Sequence, residues 1–210
     1  MPKTRIILVR HGETEWNVEQ RFRGHHDIPL NETGITQARA LARRLAAEPV
    51  AAVYSSRLQR ATHTAEIIAA PHGLTPIGED SLANINYGDL EGLTIAEVSQ
   101  RFPAMYDTLM HTPQLVRFPF GDTLDDLTIR GMTGMRSIIA RYEGQTVVAV
   151  SHQVITRVLL CAMLGLDNSH HWNVTQDTAC INVVHFRRGQ FYIDLLNDTC
   201  HLQEDGCNCG

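Results

Sequence analysis

Short, almost wholly apolar runs alternate with longer stretches in which apolar residues recur every three or four positions. The runs Arg5–Val9, Ala51–Tyr54, Thr146–Val150 and Cys180–Phe186 predict strands, and Gln190–Leu195 follows the last of them across Arg188-Gly189, a hairpin turn. A further short strand is expected near Thr75–Ile77. Between these runs, Glu32–Ala47, Leu58–Ala70, Thr94–Phe102, Leu124–Tyr142 and Val154–Leu164 predict helices. In the first of them Ile35, Ala38, Leu41, Ala42 and Leu45 keep helical spacing, the polar residues Asn31 to Thr33 suit a helix start, and Pro49 marks the exit. Strands apolar on both faces, separated by helices, imply a sheet covered on both sides. The expected fold class is therefore α/β: a three-layer α/β/α sandwich with a mainly parallel central sheet and one antiparallel edge strand from the closing hairpin.

No internal repeat and no linker interrupts this alternation. Residues 1–202 read as one domain with a cap-like insertion around 82–122, punctuated by Pro103, Pro113, Pro119 and Gly121. The same stretch reads equally well as a surface excursion with no part in chemistry. Residues 203–210 read as a flexible tail. The chain has 210 residues, 43% of them hydrophobic, enough for a sizeable core in one soluble unit. A formal net charge of −5 gives no reason to expect nucleic acid or an anionic membrane as partner, so cations for an anionic ligand must be concentrated locally. No apolar stretch is long enough to span a bilayer, and Met1-Pro2-Lys3-Thr4-Arg5 does not read as a signal peptide, so a cytoplasmic location is expected. The odd count of five cysteines argues against a disulfide framework. Cys161 and Cys180 read as small buried hydrophobes, and Cys207-Asn208-Cys209 with His201 matches no strong zinc spacing, so no metal is expected.

Two apolar strands deliver histidines at their carboxyl ends, the edge at which open α/β sheets bind ligands. The first ends in Arg10-His11-Gly12-Glu13-Thr14 and the second in Ser151-His152. Arg10 has the planar fork that suits a phosphoryl group, and a neutral, positioned His11 is a nucleophile toward phosphorus. Arg60 follows the strand ending at Tyr54 and falls in the first turn of a helix, where anions are favoured. A lone histidine after a strand is often structural, whereas a pair accompanied by arginines points to a shared anion pocket.

The run Leu8-Val9-Arg10-His11-Gly12-Glu13-Thr14 resembles the signature of the histidine phosphatase superfamily, also called the phosphoglycerate mutase-like family. Tyr54 to Ala61, Val147 to His152, the run from Asn17 through Arg23-Gly24-His25 to Pro29-Leu30, and Leu196 to Leu202 extend the resemblance over nearly the whole chain. It implies a phosphatase that uses neither metal nor cofactor. His11 would take the phosphoryl group as phosphohistidine, which water then hydrolyses to inorganic phosphate. Arg10, Asn17, Arg60 and His152 would surround the phosphoryl group, with His152 protonated and acting electrostatically. Arg23, Gly24 and His25 would flank the substrate, and Glu13 would orient the loop. Gln153 stands where the family usually has glycine. The substrate would be a small phosphomonoester of a sugar, glycerate or nucleoside, and many relatives dimerise, which makes a homodimer possible.

The resemblance falters at one catalytic position. Related enzymes carry a glutamate that protonates the departing alkoxide, and here the matching residue is Asn84, within Leu82 to Gly92. An amide cannot supply a proton at neutral pH. Either catalysis on alkyl phosphates is weakened, or Asp89, Glu79, Asp122 or Glu91 replaces the acid, or the substrate has a good leaving group. A second reading is a phospholigand-binding or regulatory module with little catalysis. A third is a phosphomutase; it is disfavoured by Ile85, where mutases carry arginine, and by a stretch from Gly92 to Gly121 whose only cations beside histidines are Arg101 and Arg117.

Overall fold

The computed structural model describes residues 3–203. The expected tail, including Cys207 and Cys209, lies outside the described residues apart from Gln203. In chain order the elements are β1 (Thr4–Arg10), α1 (Glu15–Val18), α2 (Glu32–Leu45), β2 (Val50–Ser55), α3 (Gln59–Ala69), β3 (Ile77–Gly78), α4 (Ile95–Arg101), α5 (Pro103–His111), α6 (Leu124–Arg141), β4 (Thr146–Ser151), α7 (Gln153–Met163), β5 (Ile181–Arg187) and β6 (Gln190–Asp198).

The strands form one sheet in the order β3-β2-β4-β1-β5-β6. β3, β2, β4 and β1 run parallel. β5 pairs antiparallel with both β1 and β6. The reversed strand is thus β5, one place in from the edge, and its hairpin partner β6 forms the edge itself. The central strands are buried on both faces, which is why they read as continuous apolar runs. Ile6 and Leu8 of β1 and Val147 and Ala149 of β4 face one core with Leu127, Met135, Ile155 and Val158 of α6 and α7. Ile7, Val9, Val148 and Val150 face the other with Leu41, Leu45, Ala61 and Ile68 of α2 and α3. Three layers result.

Helix starts follow local chemistry. Asn31 caps α2 by accepting from the Gly34 N–H at 2.8 Å, and Thr123 and Asp126 form a capping box on α6. α5 is not expected from the sequence, because Pro103 reads as a break. Pro103 is instead the first residue of that helix, where its missing N–H costs nothing. The loop after β1 packs backbone to backbone on the start of α2. A Cβ on Gly12 would lie 2.4 Å from the Gly34 carbonyl oxygen, and one on Gly34 would lie 2.1 Å from that of Glu13. Among the described residues, no helix is long and apolar enough to cross a membrane.

Candidate active site

Register places the two histidines side by side. β1 and β4 are adjacent and parallel with Arg10 opposite Ser151, so the next residues of each strand are His11 and His152. Their ring centroids are 5.1 Å apart, edge to face. A cavity of about 380 Å³ opens at this edge. Arg10, His11, Asn17, Arg23, Asn84, His152 and Gln153 line it, together with an apolar and aromatic wall that includes Phe22, Tyr87, Tyr106, Leu109, Phe118 and Trp172. The stretch 82–122 therefore contributes directly to the cavity wall. Gly24, His25 and Arg60 do not line the cavity.

His11 is held in one tautomer. Its Nδ1 lies 2.6 Å from the Gly12 carbonyl oxygen, which can only accept. Nδ1 therefore carries the proton, and Nε2 keeps its lone pair. Burial first, then the positive charges of Arg60 and Arg10, hold the ring's pKa well below the usual imidazole value. His11 is thus neutral at physiological pH.

His152 is held in the opposite tautomer. The Arg60 Nε–H donates to its Nδ1 at 3.3 Å, so the ring proton sits on Nε2 and faces Ser56 Oγ at 2.6 Å. Burial, then Arg60, keep this ring neutral as well. The expectation of a protonated His152 is corrected on this ground: a guanidinium at Nδ1 excludes a second cation there. Arg60 lies behind His152 and is 0% exposed. Its Nη1 donates to the His26 carbonyl at 2.7 Å and its Nη2 to that of Gly24 at 2.9 Å. Each of its three nitrogens donates at least one bond, and Arg60 is not part of the cavity lining, so in this arrangement it reaches the cavity through His152 and through its field. Burial, then Arg23, lower its pKa to about 10, which leaves it charged.

Arg10 lines the cavity and is anchored by the Gln176 carbonyl, which also accepts from Gln153 Nε2 at 3.1 Å. Burial, then Arg23, lower Arg10 to about 9, still protonated at neutral pH. Gln176 is a positioning residue without a sequence signal. Asn17 closes a capping box on α1: its Oδ1 accepts from the Thr14 N–H at 3.0 Å and the Thr14 hydroxyl at 2.8 Å. What Asn17 can offer a ligand is therefore its Nδ2. Arg23 is fixed by the Trp16 carbonyl at 3.0 Å. Glu13 accepts from Asn31 Nδ2 at 2.9 Å and braces the loop, as expected.

Asn84 does reach the cavity, and its Nδ2 donates to the Gly24 carbonyl at 3.3 Å while its Oδ1 is buried with no partner. His25 instead supports it from behind, donating from Nε2 to the Asn84 carbonyl at 3.0 Å. None of the four alternative acids lines the cavity, and none of the lining residues is Asp or Glu. Glu91 is spent on the backbone N–H groups of His25 and Tyr87, Asp122 on that of Asn86 and Glu79 on that of Ser81. Gly24 is glycine because it has φ +46° and a Cβ there would fall 1.7 Å from Glu91 Oε1.

Arg157 and His171 are among the lining residues that escape sequence reading. Arg157 lies on the helix face of Gln153, four residues on, and that spacing was its only signal. His171 sits in an irregular turn, and burial first, then Arg157, lower its pKa to about 3.

Neutral burial of His11, His152 and His171 has a stability consequence. Each folded-state pKa is depressed, so below the unfolded value near 6.5 the unfolded chain binds protons that the folded chain refuses. Stability is expected to fall as pH drops from about 6.5 toward 5, by roughly 1.4 kcal/mol per pH unit for each such group. Thermal unfolding in phosphate-free buffers checks this; a Tm that stays flat across that interval contradicts neutral burial.

The family model of the histidine phosphatase superfamily (branch 1) matches residues 6–199. The chain belongs to the histidine phosphatase superfamily. It is 38% identical over 200 residues to phosphoserine phosphatase 1 of Hydrogenobacter thermophilus, covering 95% of each chain. It is 34% identical over 207 residues to a metal-independent phosphoserine phosphatase of Arabidopsis thaliana, covering 97% of this chain and 85% of that one. Among solved structures, Bacillus stearothermophilus YhfR superposes with a TM-score of 0.91 at 33% identity, over 95% of this chain and all of that one.

Proposed function

We propose that the protein is a metal-independent phosphatase that hydrolyses a small phosphomonoester through a phosphohistidine on His11. The observation that carries the reading is the His11 Nδ1–H bond to the Gly12 carbonyl, which leaves Nε2 bare inside a cavity lined by Arg10 and Arg23. In this mechanism Nε2 attacks phosphorus in line, and the bond from phosphorus to the ester oxygen breaks. The Gly12 carbonyl steadies the positive charge that develops on the ring. Arg10, Arg23, the Asn17 amide and the His152 Nε2–H, which a phosphoryl oxygen would draw from Ser56, stabilise the transferring group. Water then attacks the phosphohistidine and releases inorganic phosphate. The relatives named as phosphoserine phosphatases, one of them metal-independent, support the reaction class.

The weak point is the departing oxygen, since Asn84 offers no proton. Aryl phosphates leave well without one, so p-nitrophenyl phosphate is expected to turn over in the presence of a chelator while a simple alkyl phosphate turns over slowly. Absence of turnover on either ester contradicts the phosphatase reading. One observation favours a second reading, a phospholigand-binding module with little catalysis: among the described residues, no carboxylate lines the cavity. Ile85, at the position of the mutase arginine, is fully buried in the apolar core and gives a phosphomutase no support.

A further inference from the structure

Asn182 is a fully buried amide in the middle of the sheet. It stands on β5 directly opposite Leu8 of β1, and so on the same face, where Leu8 packs into the core under α6 and α7. A buried amide there costs stability unless every donor and acceptor is paired, and here the pairing is complete. Asn182 Nδ2 donates to Gln176 Oε1 at 2.8 Å, and Asn182 Oδ1 accepts from Gln176 Nε2 at 2.8 Å, so the two amides close a ring. Backbone groups fix which end is which. Asn182 Nδ2 also donates to the Leu8 carbonyl at 3.3 Å, and its Oδ1 accepts from the Asn197 N–H at 2.9 Å. Burial pushes the Cys180 thiol up to about 11, so it stays protonated and donates to Gln176 Oε1 at 3.2 Å.

The pair holds the loop 176–180, and that loop grips the end of β1 at three points. The Gln176 carbonyl accepts from the Arg10 guanidinium, the Cys180 carbonyl accepts from the Arg10 N–H at 3.2 Å, and the Ala179 N–H donates to the His11 carbonyl at 3.2 Å. Among the described residues, the Gln176 carbonyl is the one acceptor on that guanidinium, whose Nε is buried with no partner. Asp177, next along the loop, puts the field of its carboxylate on Arg10 and Arg157. Asn197 holds it in place, accepting from its N–H at 2.7 Å and donating to its carboxylate at 2.8 Å.

We propose that Asn182 is a positioning residue: through its amide pair with Gln176 it aims the Arg10 guanidinium at the phosphoryl group. This rests on the phosphatase reading above for the ligand that Arg10 meets. Two apolar side chains of similar shape would fill the same place at little cost in stability, so the amides are explained by what they orient rather than by what they bury.

The test is equilibrium binding of inorganic phosphate, measured by calorimetry on the unmutated protein, Asn182→Leu, Arg10→Gln and the double variant. Asn182→Leu is expected to weaken phosphate binding about tenfold, the scale of one charge-assisted hydrogen bond. In the Arg10→Gln background the same substitution is expected to cost almost nothing further, because the side chain it aims is gone. A merely structural role predicts the same loss in both backgrounds. Gln176→Met removes the amide pair from its other side and keeps the backbone carbonyl. It is expected to reproduce the loss, and it carries the test if Asn182→Leu unfolds. A folded variant that binds phosphate as tightly as the unmutated protein, or an equal loss with and without Arg10, overturns the proposal. The two readings fail separately. Coupling between Asn182 and Arg10 in a protein that releases no phosphate from any ester refutes the phosphatase and leaves the positioning role. Hydrolysis with no such coupling does the reverse.

Discussion

Asn84→Glu is expected to raise the hydrolysis of an alkyl phosphate by about 10²-fold or more, the usual contribution of a general acid. The cavity already has the setting for that acid. Asn84 is buried, reaches the lining, and its one side-chain contact is the Gly24 carbonyl, an acceptor. A protonated glutamic acid can donate to that oxygen and an ionised one cannot, so the contact favours the form able to give up a proton. The arginines at the same edge act in the opposite direction, toward ionisation, and place the variant's titration between these pulls. The gain is expected to be much smaller on p-nitrophenyl phosphate, whose leaving group needs little protonation. Steady-state kcat/KM on both esters, for parent and variant, checks this. A parent that already cleaves alkyl esters fast, with no gain in the variant, would mean that another residue supplies the proton. That outcome would contradict the structure, because Asp89, Glu79, Asp122 and Glu91 all lie outside the cavity lining.

His11→Ala is expected to bring turnover of every ester to the uncatalysed background. The loss exceeds that expected for any neighbouring residue, because the variant removes the atom that bonds to phosphorus rather than one that stabilises charge. Arg10, His152 and Arg23 all remain, so the variant should still bind inorganic phosphate. The combination of retained binding and lost turnover separates a missing nucleophile from a collapsed site. Thermal unfolding tells whether the truncated, buried position has been accommodated. Measurable turnover in a folded His11→Ala protein would show that water attacks the ester directly.

The parts of this site carried by parallel strands were legible from the chain. β1 and β4 are apolar on both faces because helices cover both sides of the sheet, so their ends could be located to a residue. Adjacency of His11 and His152 follows from pairing Arg10 with Ser151. Where a side chain sits relative to a surface was not legible. Arg60 reads as a phosphate ligand, yet three of its five N–H donors end on His26, Gly24 and His152, contacts that depend on how the loop after α1 folds back. The tautomer of His152 depends on the same arginine. Arg157 escaped notice because its partner, Trp172, comes from an irregular turn with no periodicity to mark it. α5 was hidden by Pro103, a residue that ends helices in their interior and suits their first position.

The most direct test of the account is to ask whether His11 becomes phosphorylated during turnover. In the proposed cycle the residue that protonates the leaving group would also activate the attacking water, so Asn84 slows the second step as well as the first. Fed an aryl phosphate, which eases the first step alone, the protein should accumulate its intermediate. The measurement is rapid quenching in alkaline denaturant, which preserves a phosphorylated imidazole, followed by mass spectrometry of the peptide that contains His11. The account predicts one phosphoryl group on His11, formed in step with a burst of p-nitrophenol and decaying once substrate is exhausted. Sustained turnover with His11 unmodified at every time point would contradict it.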